Sequence, residues 1–285
     1  MEVLDERTWQ ARAAAHAARV DGFVASHLAR RGSQVTHPVH DFLFTYYSQR
    51  PAQLRRWHPG AGVSLGGDAS SYAGLKGYGA RSGGVGVGEA YVEQQRPLLE
   101  SLHALLSATA SRPPHTGCFG LHEWAMVYRH GEGETRHADW PLRLGPAGTD
   151  TVVESHRIGC SHFDAYRFFT PPARSLNLLA PTSGNRADLE QPGCLHAGMD
   201  LYKHAFRLTP MICSDVVADC FDLARDIREL DMRAAPYDLS VLGYDPVRIE
   251  TPEGKQVYAT AQRGFAERGA PLRARLIQEC ERLLA

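Results

Sequence analysis

A stripe of apolar residues at helical spacing constrains the fold of this chain more than any other feature. Val216, Cys220, Leu223, Ile227 and Leu230 recur every three or four residues, which is the period of one face of an α-helix. Similar patterns predict five further helices, over 5–31, 89–110 with a break near Pro97, 121–130, 194–208 and 252–284. The sequence therefore predicts a mainly α, helical globular fold with a small β element, built as a single domain over residues 1–285.

Two segments are predicted to be non-helical. Residues 60–88 contain eleven of the 27 glycines, a composition that predicts a glycine-rich loop with little regular structure. Residues 158–169 are rich in aromatic side chains and are predicted to form a strand. On a strand, alternate residues share a face, so His162, Asp164 and Tyr166 are expected to point the same way.

Charge and cysteine content narrow the class of protein. The chain has 31 Lys and Arg against 32 Asp and Glu, for a net charge of −1, which disfavours a broadly basic nucleic-acid binder. No apolar run approaches the length of a membrane span, and the N-terminus lacks the order of a secretory signal. The six cysteines include no C-x-x-C pair, which disfavours thiolate zinc. We expect a cytoplasmic protein with no membrane partner.

The chain is rich in histidine, with 14 in 285 residues, and four blocks pair histidine with a carboxylate. The first, His37-Pro-Val-His40-Asp41, precedes an apolar stretch over 42–47 that is predicted to be a helix buried on every side. Asp41 at the start of such a helix is expected to be buried and paired with a histidine, an arginine or a bound cation. The alternative is that Asp41 accepts from backbone donors while the histidines cap and pack.

The second block is His122-Glu123 on the helix predicted over 121–130. It resembles half of a zinc-protease motif, but Met126 stands where the second histidine is required, so that chemistry is excluded. Glu123 and His130 lie two turns apart and could still share a ligand. The alternative is a buried helix whose polar groups satisfy one another.

The third and fourth blocks are the predicted strand with His162 and Asp164, and the helical series His196, Asp200 and His204. Steps of four residues place the last three side chains near one another on a helix, as metal ligands are presented in helical bundles. A plain amphipathic helix with a polar side explains the same spacing.

Imidazole combined with carboxylate suits iron, zinc or manganese. We therefore predict a metal-dependent enzyme that acts on a small molecule and uses a divalent metal, with non-haem iron favoured over zinc. The predicted catalytic residues are Asp41, Glu123 and Asp164. The predicted metal ligands are His37, His40, His122, His162, His196, Asp200 and His204. A non-catalytic binding protein, with its histidines satisfied in the core, remains an alternative.

A second interpretation comes from a resemblance that covers nearly the whole chain. The blocks that carry it are HPVHDFLFTYYSQRPAQLRRWHPG, GCFGLHEWAMVYRH, CSHFDAYRFFTP, QPGCLHAGMDLYKHAF and RELDMRAAPYDL. They resemble an actinobacterial family commonly labelled "3-methyladenine DNA glycosylase". The resemblance implies excision of alkylated bases and a nucleic-acid partner. A basic and aromatic cluster is formed by Arg50, Arg55, Arg56 and Trp57, and the last three are then expected to border a positively charged DNA cleft.

Overall fold

The computed structural model describes residues 2–33, 36–47, 49–130 and 140–285. The prediction of a mainly α fold with a small β element is confirmed. The helices are α1 (Glu6–Gly32), α2 (Phe42–Tyr46), α3 (Pro51–Arg55), α4 (Ser70–Ala73), α5 (Glu89–Gln94), α6 (Arg96–Ala110), α7 (Leu121–Ala125), α8 (Gly145–Glu154), α9 (Phe163–Tyr166), α10 (Pro171–Arg174), α11 (Arg186–Leu189), α12 (Leu195–Arg207), α13 (Ser214–Ala234) and α14 (Pro252–Leu284), with a 3₁₀ turn at Ser240–Leu242. The strands are β1 (Glu2–Leu4), β2 (Val63–Leu65), β3 (Tyr78–Arg81) and β4 (Gly84–Val87).

The contacts divide the chain into two compact units, where the sequence predicted one domain. The first unit comprises residues 1–107, 201–224 and 271–285. The second comprises residues 108–200 and 225–270. The division falls within α6, α12, α13 and α14. Among the described residues, no helix is both long and apolar enough to span a bilayer.

The small sheet lies in the first unit, and most of it is built from the glycine-rich segment. Its strand order is β1-β2-β4-β3, with β1 parallel to β2 and the other pairs antiparallel. The expectation of little regular structure over 60–88 was therefore wrong. Gly84 has φ +153°, and a Cβ there would collide with the backbone carbonyl of Leu65. Glycine serves here to let two strands approach closely.

The prediction of a strand over residues 158–169 was also wrong. The segment has one isolated bridge, between Ile158 and Asn177, and then turns into α9. The side chain of Asn177 accepts from the backbone N–H of Cys160 at 2.8 Å and donates to its carbonyl at 3.0 Å. A side-chain amide thus satisfies the peptide groups that a neighbouring strand would otherwise satisfy. His162 and Asp164 consequently do not share a strand face.

The long helices were predicted well, because their apolar spacing is regular. The predicted break near Pro97 is observed between α5 and α6, and Pro97 lies in the first turn of α6, where proline is tolerated. Helix α2 is shorter than predicted. Leu43 and Phe44 are buried but Thr45 is exposed, so the expectation of burial on every side was wrong.

Candidate metal centre

Three buried side chains of the second unit converge on one point. His122 comes from α7, His196 from the first turn of α12 and Asp231 from α13. One ligand atom from each lies within 4.8 Å of the other two. The exposed fractions are 6% for His122, 8% for His196 and 0% for Asp231. Two imidazoles and one carboxylate at this separation can hold a metal ion.

The position of His122 follows from the way α7 is anchored. The helix follows Gly120, which has φ +70°, a conformation that glycine adopts at little cost. A Cβ at Gly120 would press on the ring of Tyr258 at 3.3 Å. Two residues after His122, the indole N–H of Trp124 donates to the carbonyl of Ala234 at 2.9 Å. This buried hydrogen bond fixes α7 against the C-terminal end of α13, the helix that carries Asp231.

The two carboxylate oxygens of Asp231 have different neighbours. Its Oδ2 accepts from Nη1 of Arg228 at 3.0 Å, and the same Nη1 donates to Oε1 of Glu123 at 3.2 Å. Its Oδ1 lies 3.0 Å from Nε2 of His122, but neither atom has a hydrogen bond of acceptable geometry within the described residues. Arg228 and Glu123 therefore hold the carboxylate in place and leave Oδ1 directed at the histidines.

The pKa values of the three groups diverge. Burial opposes the charge on His122, but the adjacent Asp231 carboxylate outweighs burial and raises the pKa of His122. Burial, assisted by the charge of His122, lowers the pKa of His196 well below its ordinary value. Burial also opposes the charge on Asp231, yet the adjacent protonated His122, together with the charge of Arg228, holds the pKa of its carboxyl well below the usual range. His196 is thus neutral at pH 7 and has a ring nitrogen available as a ligand.

His122 and His196 also line a small cleft together with Cys118, Cys160 and Cys194. Its free space is about 10 Å³, enough for the centre of roughly one water-sized sphere. Burial raises the pKa of Cys160 to about 12 and also raises the pKa values of Cys118 and Cys194, so the thiols stay protonated at neutral pH. The fold gathers cysteines that are far apart in sequence, without making them thiolate ligands.

Another buried cluster adjoins the three ligand candidates. The ring of His162 lies 5.4 Å from that of His196, centroid to centroid. Its Nε2 is 3.4 Å from Oε1 of Glu190 and 3.5 Å from Oδ2 of Asp200. Arg186 donates to both of these carboxylates, at 2.5 Å and 3.0 Å. His162 and Asp200 lie beside the group formed by His122, His196 and Asp231 rather than in it, and Arg186 bonds to the carboxylates on their side.

The remaining predicted site residues are distributed as follows. Glu123 contacts Arg228, as described above, and Asp164 forms an ion pair with Arg167 at 3.3 Å. His37, His40, Asp41 and His204 belong to the first unit. The interpretation of the α12 series as the polar side of an amphipathic helix was wrong, because His196, Asp200 and His204 are all buried.

In the block His37-Pro-Val-His40-Asp41, the carboxylate of Asp41 has the predicted surroundings. Asp41 is 8% exposed and accepts hydrogen bonds from His27 and Arg30. The prediction that Asp41 is buried and paired is therefore confirmed. The rings of His37 and His40 stack on each other, with centroids 4.6 Å apart.

Asp231 was missed by the sequence analysis. A signal for it is present, because Asp231 follows Ile227 by four residues and so continues the apolar stripe of α13. A carboxylate in an apolar stripe is buried and needs a partner. Arg228, three residues earlier, is one partner that the helix itself provides.

Comparisons with protein-family models, with curated proteins and with solved structures found no match to this chain.

Proposed function

We propose that His122, His196 and Asp231 bind a divalent metal, with iron favoured over zinc, and that the protein is a metal-dependent enzyme acting on a small molecule. One observation carries this proposal: the three buried ligand atoms lie within 4.8 Å of one another. Two histidines with one carboxylate, leaving open positions, is the ligand set typical of non-haem iron oxygenases. Zinc hydrolases use a similar set.

Two buried polar atoms that face each other support a cation at this point. Nε2 of His122 and Oδ1 of Asp231 lie 3.0 Å apart as an ion pair, with an alignment that falls short of a good hydrogen bond. A single cation would satisfy both atoms and the ring nitrogen of His196, and it would replace the proton that Asp231 favours on His122.

The surrounding residues fit a supporting role. Arg228 and Glu123 orient Asp231 through its Oδ2, and such supporting contacts tune ligand position and affinity. A metal held by three protein groups supplies Lewis-acid or redox chemistry at the positions left open. The cleft beside the ligands has room for about one water, so a substrate must be small or must enter when the cleft widens.

The direct test is metal analysis of protein purified without a histidine tag. We expect about one equivalent of bound metal, identified by elemental analysis as iron rather than zinc. Cobalt substitution should give visible absorption typical of histidine coordination. His196→Ala should abolish both signals, because it removes one of the three ligands. The variant should still fold, since His196 is neutral and its removal leaves no buried charge.

A matched control is His103→Ala, because His103 lies in the first unit, is partly exposed and pairs with Glu281. It should bind metal like the unmodified protein. If His196→Ala, shown to be folded by circular dichroism, retains the same metal content as His103→Ala, the proposed centre is wrong.

The glycosylase interpretation remains a prediction, and the predicted DNA-binding cluster gives it no support. Trp57 is 2% exposed and packs in a hydrophobic cluster that includes Leu4 and Trp9, so it does not border a cleft and cannot stack on a base. Arg55 forms a bidentate pair with Asp21, at 2.7 Å and 3.0 Å. Salt-dependent DNA binding by the unmodified protein, weakened by replacing Arg55 and Arg56 together, would be needed to revive this interpretation.

A further inference from the structure

A second cavity, larger than the cleft beside the histidines, lies in the second unit and does not include the three proposed metal ligands. Its volume is about 410 Å³, within the range of roughly 300–1,000 Å³ usual for small-molecule pockets. Its lining consists mainly of arginines, tyrosines and a short apolar wall. The charged and aromatic side chains in this lining include Arg143, Arg233, Arg248, Tyr237, Tyr244 and Glu250.

Protein contacts hold Arg143 and Arg233 in the wall of this cavity. The guanidinium of Arg143 forms two hydrogen bonds to the carboxylate of Glu250, at 2.7 Å and 2.6 Å. It also lies 5.1 Å from the ring centroid of Trp124, in a cation–π arrangement. Arg233 is fixed as well, because its Nε donates to the carbonyl of Asp245 at 3.0 Å. These contacts hold two positive groups in place before any ligand arrives.

One guanidinium at this cavity remains available to a ligand. Arg248 is exposed, and among the described residues its guanidinium has no hydrogen bond or ion pair. The other two arginines of the lining have acidic partners, since Arg143 pairs with Glu250 and Arg233 lies 3.6 Å from Glu229.

We infer that this cavity binds a small organic anion that carries a carboxylate or phosphate group. Arg248 contacts the anionic group, since guanidinium matches the oxygens of carboxylate and phosphate. Tyr237, Tyr244 and Leu239 contact the less polar part of the molecule. Met232 and Arg233 line the cavity and directly follow Asp231 in α13, but this binding does not depend on the proposed metal.

Titration calorimetry with three probes tests the inference: phenyl phosphate, benzoate and inorganic phosphate, each added to the full-length protein. We expect saturable binding of phenyl phosphate or benzoate, weakened by added salt. The tighter of the two identifies phosphate or carboxylate as the preferred group. Arg248→Gln should weaken this binding about tenfold or more, as expected for loss of a hydrogen bond to a charged group.

Arg12→Gln is the matched control, because Arg12 is exposed, lies in the first unit and does not line the cavity. It removes the same charge and should leave the affinity unchanged. Absence of saturable binding, or equal weakening by both substitutions, would overturn the inference. If inorganic phosphate binds as tightly as phenyl phosphate, the inference that the ligand is organic is wrong.

The proposed metal centre and the proposed anion-binding cavity can be tested independently. Phenyl phosphate or benzoate should bind with the same affinity before and after chelator treatment, whether or not the protein held metal. Binding that disappears with the metal would place the anion on the metal and overturn the cavity as its site. Binding that persists in a protein shown to hold no metal would support the cavity and refute only the metal centre.

Discussion

Asp41 and Asp231 are both buried carboxylates, but their surroundings differ. Asp41, in the first unit, accepts from Arg30, from His27 at 2.9 Å and from the backbone N–H of His37 at 2.9 Å. Asp231, in the second unit, accepts a hydrogen bond from Arg228 on Oδ2 while Oδ1 faces His122 without one. Asp41 is held by hydrogen bonds from three residues, whereas Oδ1 of Asp231 contacts His122 as an ion pair without good hydrogen-bond alignment.

This difference bears on which of the two carboxylates can take part in binding a ligand. A buried charge with all its partners stabilises a local arrangement and gives a ligand no place to bind. A buried oxygen that meets an imidazole nitrogen without hydrogen-bond alignment can be stabilised further by a bound cation. We predicted a catalytic role for Asp41 and overlooked Asp231, whereas the proposed metal centre uses Asp231 and not Asp41.

Asp231→Asn should give the largest effect. It removes the negative ligand while keeping the side-chain shape, so metal affinity should fall by more than the ~10- to 100-fold typical of a residue that only supports a ligand. Competition with a chelator of known affinity measures the loss. Unchanged affinity would mean that the two carboxylates do not differ in the way proposed.

Asp41→Ala should mainly lower stability. It leaves Arg30 partly buried without its partner, and the expected cost is about 3 kcal/mol, the lower end for a broken buried pair because these side chains keep some exposure. Urea denaturation measures the loss, and metal content should not change. Asp21→Ala is the control, because it breaks an exposed pair with Arg55 and should change stability far less. Loss of metal in Asp41→Ala would contradict the separation of roles.

Glu123→Gln should have a smaller effect on the metal. Glu123 touches Arg228 rather than the ligand atoms, so its loss loosens the orientation of Asp231 without removing a ligand. Metal affinity should fall about tenfold, measured by the same competition. A loss as large as that of Asp231→Asn would indicate that Glu123 itself binds the metal.

The pH dependence of the free energy of unfolding provides a further test of the pairing of Asp41. Burial opposes ionisation of Asp41, but the hydrogen bonds from Arg30 and His27 outweigh it and lower its pKa. The folded protein therefore binds fewer protons at Asp41 than the unfolded chain. This contribution to stability is present above the unfolded pKa of about 4 and is lost as pH falls through the lower folded pKa. The stability difference between the unmodified protein and Asp41→Asn should therefore shrink below about pH 4. A difference that grows with acid would contradict this pairing.

The sequence determined the helices and the class of fold. Local spacing decides which residues of a helix share a face, and the stripe of α13 is read from five residues. The same local information failed at 158–169, because the side chain of Asn177 satisfies the peptide groups of Cys160. It failed at 60–88 because strand pairing there depends on close approach at Gly84, which glycine content alone does not reveal.

The candidate site was decided only by tertiary structure. The histidine-rich blocks showed which residue types were available, and Asp41 at the start of an apolar stretch was enough to predict a buried pair within its own neighbourhood. His122, His196 and Asp231 are separated by many residues, and no spacing rule relates them. They meet because α7 is anchored to the end of α13 through Trp124 and Ala234, and because the buried first turn of α12 places His196 at the same point. Periodicity specifies faces, but packing specifies which faces meet.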